Sequence, residues 1–123
     1  MPAIEIWLYR EDLRVPVVEW MSGLASEEAE VVSARILMLH LHGNELRRPH
    51  ADLLEDGIWE LRVRHRKRQL RVLYFFDGRG AVVLAHGLVK RGARMPAKDV
   101  ALAVRRRDRY RSHPAAHRFP FGA

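Results

Sequence analysis

The chain has 123 residues, 22 Lys and Arg against 15 Asp and Glu, and no cysteine, which leaves room for one domain with a real core and not for two. Disulfides, thiolate zinc sites and a cysteine nucleophile are excluded. The net charge is +7 and nineteen of the cations are Arg, whose planar fork of donors suits phosphate, so a nucleic-acid partner is favoured over a small neutral substrate.

The sequence has no apolar run of 18 residues, and "MPAIEIWLYRED" carries charges where a secretory signal needs its apolar segment. A cytoplasmic protein without a membrane contact is expected. In "AIEIWLYR", residues 3–10, Ile4, Ile6 and Leu8 alternate with Glu5, Trp7 and Tyr9, which predicts a first strand. Pro16 sits in the first turn of a short helix carrying Val17, Trp20, Met21 and Leu24, with Gly23 near its end.

Ser26 reads as the N-cap of a second helix, with Glu27 and Glu28 at the positive end of its dipole. Ala29, Val32, Ile36 and Leu39 form its apolar stripe and Gly43 its stop, so the two helices make a hairpin. Residues 44–56 lack a period and read as a connector with one helical turn at most. Three strands follow at Ile58–Arg64, Leu70–Asp77 and Ala81–Leu88, joined by "HRKRQ" and by "DGRG", the stronger hairpin signal. Pro96 opens a last helix over Ala97–Arg111, with Val100 and Val104 facing inward. Pro114 ends it, and residues 113–123 read as a flexible tail beyond a single domain at 1–112.

Strand parity sets Trp59, Leu61 and Val63 on one face and Glu60, Arg62 and Arg64 on the other. In the next strand Arg71, Leu73 and Phe75 oppose Leu70, Val72, Tyr74 and Phe76. If Arg71 pairs near Arg62 or Arg64, like charges lie side by side, at a cost of several tenths of a kcal/mol up to about 1. An anion must offset that, either a bound phosphate or a carboxylate such as Glu60. Lys90, Arg91 and Arg94 form a second basic cluster at the exit of the last strand, and an antiparallel meander would bring the two clusters together.

RNA cleavage needs cations for the phosphodiester, a group to take the 2′-hydroxyl proton and one to protonate the leaving oxygen. Arg stays charged and can only stabilise the phosphorane, so Lys90 is the proton-transfer candidate. The histidines read as bland. His40 and His42 point to different faces, Pro114 interrupts the His113–His117 spacing, and His65 lies in a turn near the basic face within reach of RNA. His86 shares the parity of Leu84 and Leu88 and reads as a satisfied core or supporting histidine. No Gly-rich phosphate loop, nucleophile elbow, carboxylate dyad or zinc spacing occurs.

The run "GIWELRVRHRKRQLRVLYFF", then "VVLAHGLVKRGARMP" and an Ala- and Arg-containing last helix, resembles the RelE/HigB superfamily of toxins, in particular its phage-derived HigB-like branch. The likeness covers most of the chain. It implies an α+β, RelE-like fold: an antiparallel sheet with the N-terminal helical hairpin on one face, the C-terminal helix beside it, and a basic concave surface. It further implies the toxin of a type II toxin–antitoxin pair, a ribosome-dependent endoribonuclease acting on mRNA without cofactor or metal. The cognate antitoxin would be a helix-turn-helix protein bringing carboxylates to the basic face. By motif, Arg71 corresponds to the strand arginine at the scissile phosphate, and Lys90 and Arg91 to the basic pair after the last strand. Arg62, Arg64, His65, Lys67 and Arg94 are then candidates for RNA binding.

Arg91 stands where a second Lys is usual, Leu70 where an aromatic is usual, and "LVKR" replaces a commoner aromatic-containing segment. Tyr110 is the one Tyr in the last helix. The competing expectation is a catalytically weak basic module that blocks an RNA or ribosomal site. A DNA-binding regulator is disfavoured because no recognition helix is evident.

Overall fold

A computed structural model describes residues 3–122. The elements in chain order are β1 (Glu5–Tyr9), α1 (Pro16–Ser22), α2 (Ser26–His42), β2 (Ala51–Leu53), β3 (Trp59–His65), β4 (Arg68–Phe76), β5 (Ala81–Lys90), α3 (Ala97–Ser112) and β6 (Arg118–Pro120), with 3₁₀ turns at Gly43–Glu45 and Pro114–Ala116. The six strands form one sheet in the order β2-β3-β4-β5-β1-β6. The α+β class holds, but the sheet is mixed, because β1 runs parallel to β5 while all other neighbours are antiparallel.

Each face of the sheet has its own core. On one, Ile6, Leu8, Leu61, Val63, Leu70, Val72 and Tyr74 pack under α1 and α2 through Val17, Val32, Ile36 and Leu39. On the other, Leu73, Phe75, Val83, Ala85 and Leu88 pack under α3 through Val100, Ala103 and Tyr110. The last helix therefore lies across the sheet from the helical hairpin. It packs chiefly on β5 and β4, while α2 packs on β3 from the other face.

Local chemistry accounts for the joints. Asp77 Oδ1 accepts the N–H groups of Arg79 (2.7 Å) and Ala81 (3.0 Å), and Gly78 and Gly80 take positive φ, which closes the "DGRG" loop. Helix α2 is capped differently from expectation: Ser26 is its first residue, Ala25 is the cap position, and the Glu28 carboxylate reaches back to the Ala25 N–H at 3.2 Å. The other Glu28 oxygen accepts from Arg68 Nε at 2.8 Å, so one carboxylate both caps α2 and fastens the β3–β4 hairpin to it.

Two segments depart further from the sequence reading. Residues 51–53, expected in a connector, pair with β3 as an edge strand. The tail expected to fray instead forms β6, which pairs Leu8 with Phe119 while Phe119 and Phe121 join the core under α1 and α2. His117 adds to this closure, stacking on Tyr9 at 5.3 Å between ring centroids. Three-residue strands carry no alternation of their own, and a partner strand creates them.

Strand β5 also contains a bulge. Leu73 pairs with His86 but the next residue, Tyr74, pairs with Leu84, leaving Ala85 as the extra residue. The expected common face of Leu84, His86 and Leu88 is therefore broken: Leu84 packs toward α1 and α2, whereas Leu88 belongs to the core under α3.

Candidate functional site

The β3–β4–β5 register sorts the predicted residues. Arg62 lies directly opposite Arg71, which lies opposite Leu88; Arg64 lies opposite Gln69, and Gln69 opposite Lys90. One further row holds Asp52, Glu60, Leu73 and His86 across four strands. The meander thus brings Arg62, Arg64, Arg71 and Lys90 to the α3 side of the sheet. Arg91 and Arg94 follow in the exposed loop after β5.

These cations are not equivalent. Arg71 is 3 % exposed: Nε donates to Glu60 Oε1 at 2.9 Å, Nη1 to the Leu70 carbonyl at 3.0 Å, and both terminal nitrogens to Gln69 Oε1 at 3.3 Å. Burial pulls its pKa below the usual guanidinium range, with Glu60 opposing the shift and Arg62 adding to it. Direct contact with a scissile phosphate, the role expected of it, would require Gln69 to move away. Arg71 is a buried counter-ion that sets the local potential and fixes Glu60.

Arg62 is half-buried and, among the described residues, its guanidinium has no ion-pair or hydrogen-bond partner. Arg64 is exposed and donates only to the Arg66 carbonyl at 3.3 Å. Lys90 Nζ donates to the carbonyls of Gly92 (2.8 Å) and Ala93 (3.0 Å), which bends the following loop back and holds Arg91 and Arg94 near the strand end. Asp52 is already paired with Arg48 at 2.7 Å. The two carboxylates of this face, Asp52 and Glu60, are thus both committed, and Arg62 and Arg64 are left to attract an anion, with Lys90 adding charge while two of its donors are engaged.

His65 does not belong to this face. It shares the parity of Leu61 and Val63 and turns to α2, with Nε2 3.5 Å from Glu27. Arg66 and Arg68 are likewise held by Glu27 and Glu28. Lys67 is exposed at the tip of the turn, away from the Arg62–Arg71 row.

Sequence reasoning passed over Gln69, which bonds Arg71, and read His86 as a satisfied histidine without naming its partner, Asp99 on the first turn of α3. His86 Nε2 donates to Asp99 Oδ1 at 2.7 Å, with only 17 % and 14 % of the two side chains exposed. A carboxylate only accepts, so Nε2 carries the proton and Nδ1 remains as the basic nitrogen. Burial lowers the His86 pKa below its ordinary 6.5 even though Asp99 pulls the other way. His86 is therefore a neutral imidazole at neutral pH. Among the described residues, no group of three or more His, Cys, Asp or Glu side chains could hold a metal ion, and no helix is long and apolar enough to cross a membrane.

These environments set the pH dependence of stability. His50, through burial and Arg35, and His86, through burial, have folded pKa values below 6.5, so the unfolded chain binds their protons first. Their contribution is complete above 6.5 and is lost as pH falls through the folded values. Glu28 and Asp52 are lowered chiefly by hydrogen bonds from Arg68 and Arg48, and their contribution is lost only below the ordinary carboxylate values of 4.5 and 3.8. Urea midpoints measured from pH 8 to 3 should fall in two stages, first below 6.5 and again below about 4.5. A flat profile between pH 6.5 and 5 would contradict the histidine assignment.

None of the curated proteins compared matches the chain. Residues 19–108, from α1 through most of α3, match the family described as Phage derived protein Gp49-like (DUF891), and the chain belongs to that family.

Proposed function

We propose that this Gp49-like chain is an RNA-directed toxin of the RelE/HigB kind, which cleaves mRNA on the ribosome with the RNA 2′-hydroxyl as nucleophile and without a metal. The observation that carries the reading is that Arg62, Arg64 and Lys90 share one face of the β3–β4–β5 meander around the Arg71 row. Glu60 neutralises Arg71 within the protein, and Arg62 and Arg64 beside it, with no carboxylate of their own among the described residues, are the cations that suit a polyanion. In this reading Arg62, Arg64, Arg91 and Arg94 bind the backbone and Lys90 protonates the leaving oxygen, while Arg71, beside Arg62 on the next strand, adds to the local potential. An antitoxin would silence the chain by laying carboxylates on the same face.

A second reading draws on a specific observation. Arg71 and Lys90 both spend their donors inside the protein, as suits a basic module that blocks the decoding site without cutting. Primer extension on mRNA in a purified translation system, with and without ribosomes and with chelator present, separates the two. Ribosome-dependent cuts in the wild type that vanish in Lys90→Ala and weaken in Arg62→Ala are expected. Arrest without cuts would favour the blocking module. On single-stranded RNA, log K against log salt should lose a slope of about 0.7 for each of Arg62 and Arg64 replaced by Ala. An unchanged slope would remove these residues from the interface.

A further inference from the structure

The cleavage reading lacks a group to accept the 2′-hydroxyl proton: Arg cannot, and Lys90 is assigned to the other side of the reaction. The bulge in β5 supplies a candidate. By leaving Ala85 unpaired it sets His86 opposite Leu73, on the strand that ends in Lys90 and four residues before it. Between His86 and Lys90 on that strand comes Leu88, whose row runs through Arg71 to Arg62. Along the strand direction that row falls between His86 and Lys90, so an RNA backbone bound at Arg62 on β3 and followed across the sheet reaches β5 between the two, two strands away from Arg62. Four residues of strand span roughly 13 Å, and Lys90 Nζ must leave the Gly92 and Ala93 carbonyls to close that distance when RNA is bound. In-line displacement at phosphorus needs this layout, a base at the attacking oxygen and an acid at the leaving one.

Resting on that reading, we propose that His86 is the catalytic base and that Asp99 is its positioning residue, holding the imidazole through the 2.7 Å bond to Nε2 so that Nδ1 is free to accept a proton. The 2′-hydroxyl gives its proton to Nδ1 as its oxygen forms a bond to phosphorus. The P–O5′ bond breaks, and the departing oxygen takes a proton from the Lys90 ammonium. The products are a 2′,3′-cyclic phosphate and a 5′-hydroxyl, with His86 protonated and Lys90 neutral until solvent resets them. No oxidant, metal or further reactant enters the balance.

The groups facing His86 are Asp99 and Arg106 from α3, Leu73 with Arg71 diagonal to it from β4, and Glu60 beyond Leu73 on β3. Asp99 is the one that raises its basicity directly. The test uses the full chain on ribosomes carrying a synthetic mRNA, either natural or with a sulfur in place of the 5′ bridging oxygen at the mapped cut. Sulfur leaves without protonation, so it bypasses an acid and not a base. His86→Asn should lower kcat roughly 10²–10⁴-fold with KM unchanged, and the sulfur substrate should rescue Lys90→Ala but not His86→Asn.

Asp99→Asn serves as the second variant, in case His86→Asn folds poorly. It should lower kcat and move the acidic limb of the pH–rate profile to lower pH, because the carboxylate that favours the imidazolium is gone. Wild-type cleavage together with full activity of His86→Asn, rescue of His86→Asn by sulfur, or an unmoved limb in Asp99→Asn overturns the inference alone. A wild-type chain that leaves both substrates intact on the ribosome overturns the inference and the cleavage reading together.

Discussion

Arg71→Ala should cost about 3–5 kcal/mol of stability, the range for removing one partner of a buried ion pair. The reason lies in what stays behind. Glu60 is 8 % exposed and Arg71 Nε is its ion-pair partner at 2.9 Å, so truncation leaves a carboxylate in a site with little water to solvate it. The Leu70 carbonyl and Gln69 amide lose their donors as well. Replacing both partners by apolar residues, Arg71→Met with Glu60→Leu, should recover most of the loss, because the desolvation of two charges disappears with them. Urea denaturation of the four members of this cycle reads the coupling directly. A single-variant loss under about 1 kcal/mol would mean that water reaches the pair and that Arg71 is available to RNA after all. The folded fraction of an Arg71 variant must also be known before any loss of its activity is assigned to chemistry.

Gly87→Ala is the second change with a large expected cost. Gly87 lies in the middle of β5, where the Trp20 ring of α1 rests on its backbone. A Cβ there would stand 2.8 Å from Trp20 Cζ3 and nearer still to Cε3 and Cδ2. The obstacle is a rigid bicyclic ring, so α1 must lift from the sheet or β5 must bend. Overpacking of this kind costs about 1–3 kcal/mol, and the upper half of that range is expected because the helix is only seven residues long and is held by few buried groups, Val17 chief among them. Trp20→Leu should be destabilising alone yet partly suppress Gly87→Ala, giving a coupling of about 1 kcal/mol or more. Strict additivity would show that the clash is relieved elsewhere.

The sequence made some of this visible and hid the rest for identifiable reasons. The β3–β4 hairpin and the common face of Arg62, Arg64 and Arg71 follow from period-two alternation, whereas the choice of Arg62 over Arg64 as the partner of Arg71 is set by the turn at Arg66 and Lys67. The same parity, applied one residue further, sets His65 with Val63 on the α2 side, so the signal that removes it from the RNA face was present in the pattern. By contrast, the burial of Arg71 depends on Gln69 and Glu60 closing over it, and no local pattern encodes that. His86 was obscured by the bulge, since parity counted through Ala85 gives the wrong neighbours. Strands β2 and β6 were invisible because their conformation comes from β3 and β1. The position of α3 across the sheet from α2 likewise depends on which face of the sheet still has apolar surface to cover.

The brevity of β2 and β6 has a consequence for how the molecule behaves in a crowd of its own copies. A sheet rich in Val, Leu and aromatic residues is a template for end-to-end growth wherever a long rim of unpaired amide and carbonyl groups is left bare. Here the long apolar strands β3, β4, β5 and β1 are all interior, and each rim is a three-residue strand. One of them ends in Pro120, which has no N–H to offer. The rims thus act as stoppers against fibrillar stacking, and a basic surface that repels its twin reinforces them.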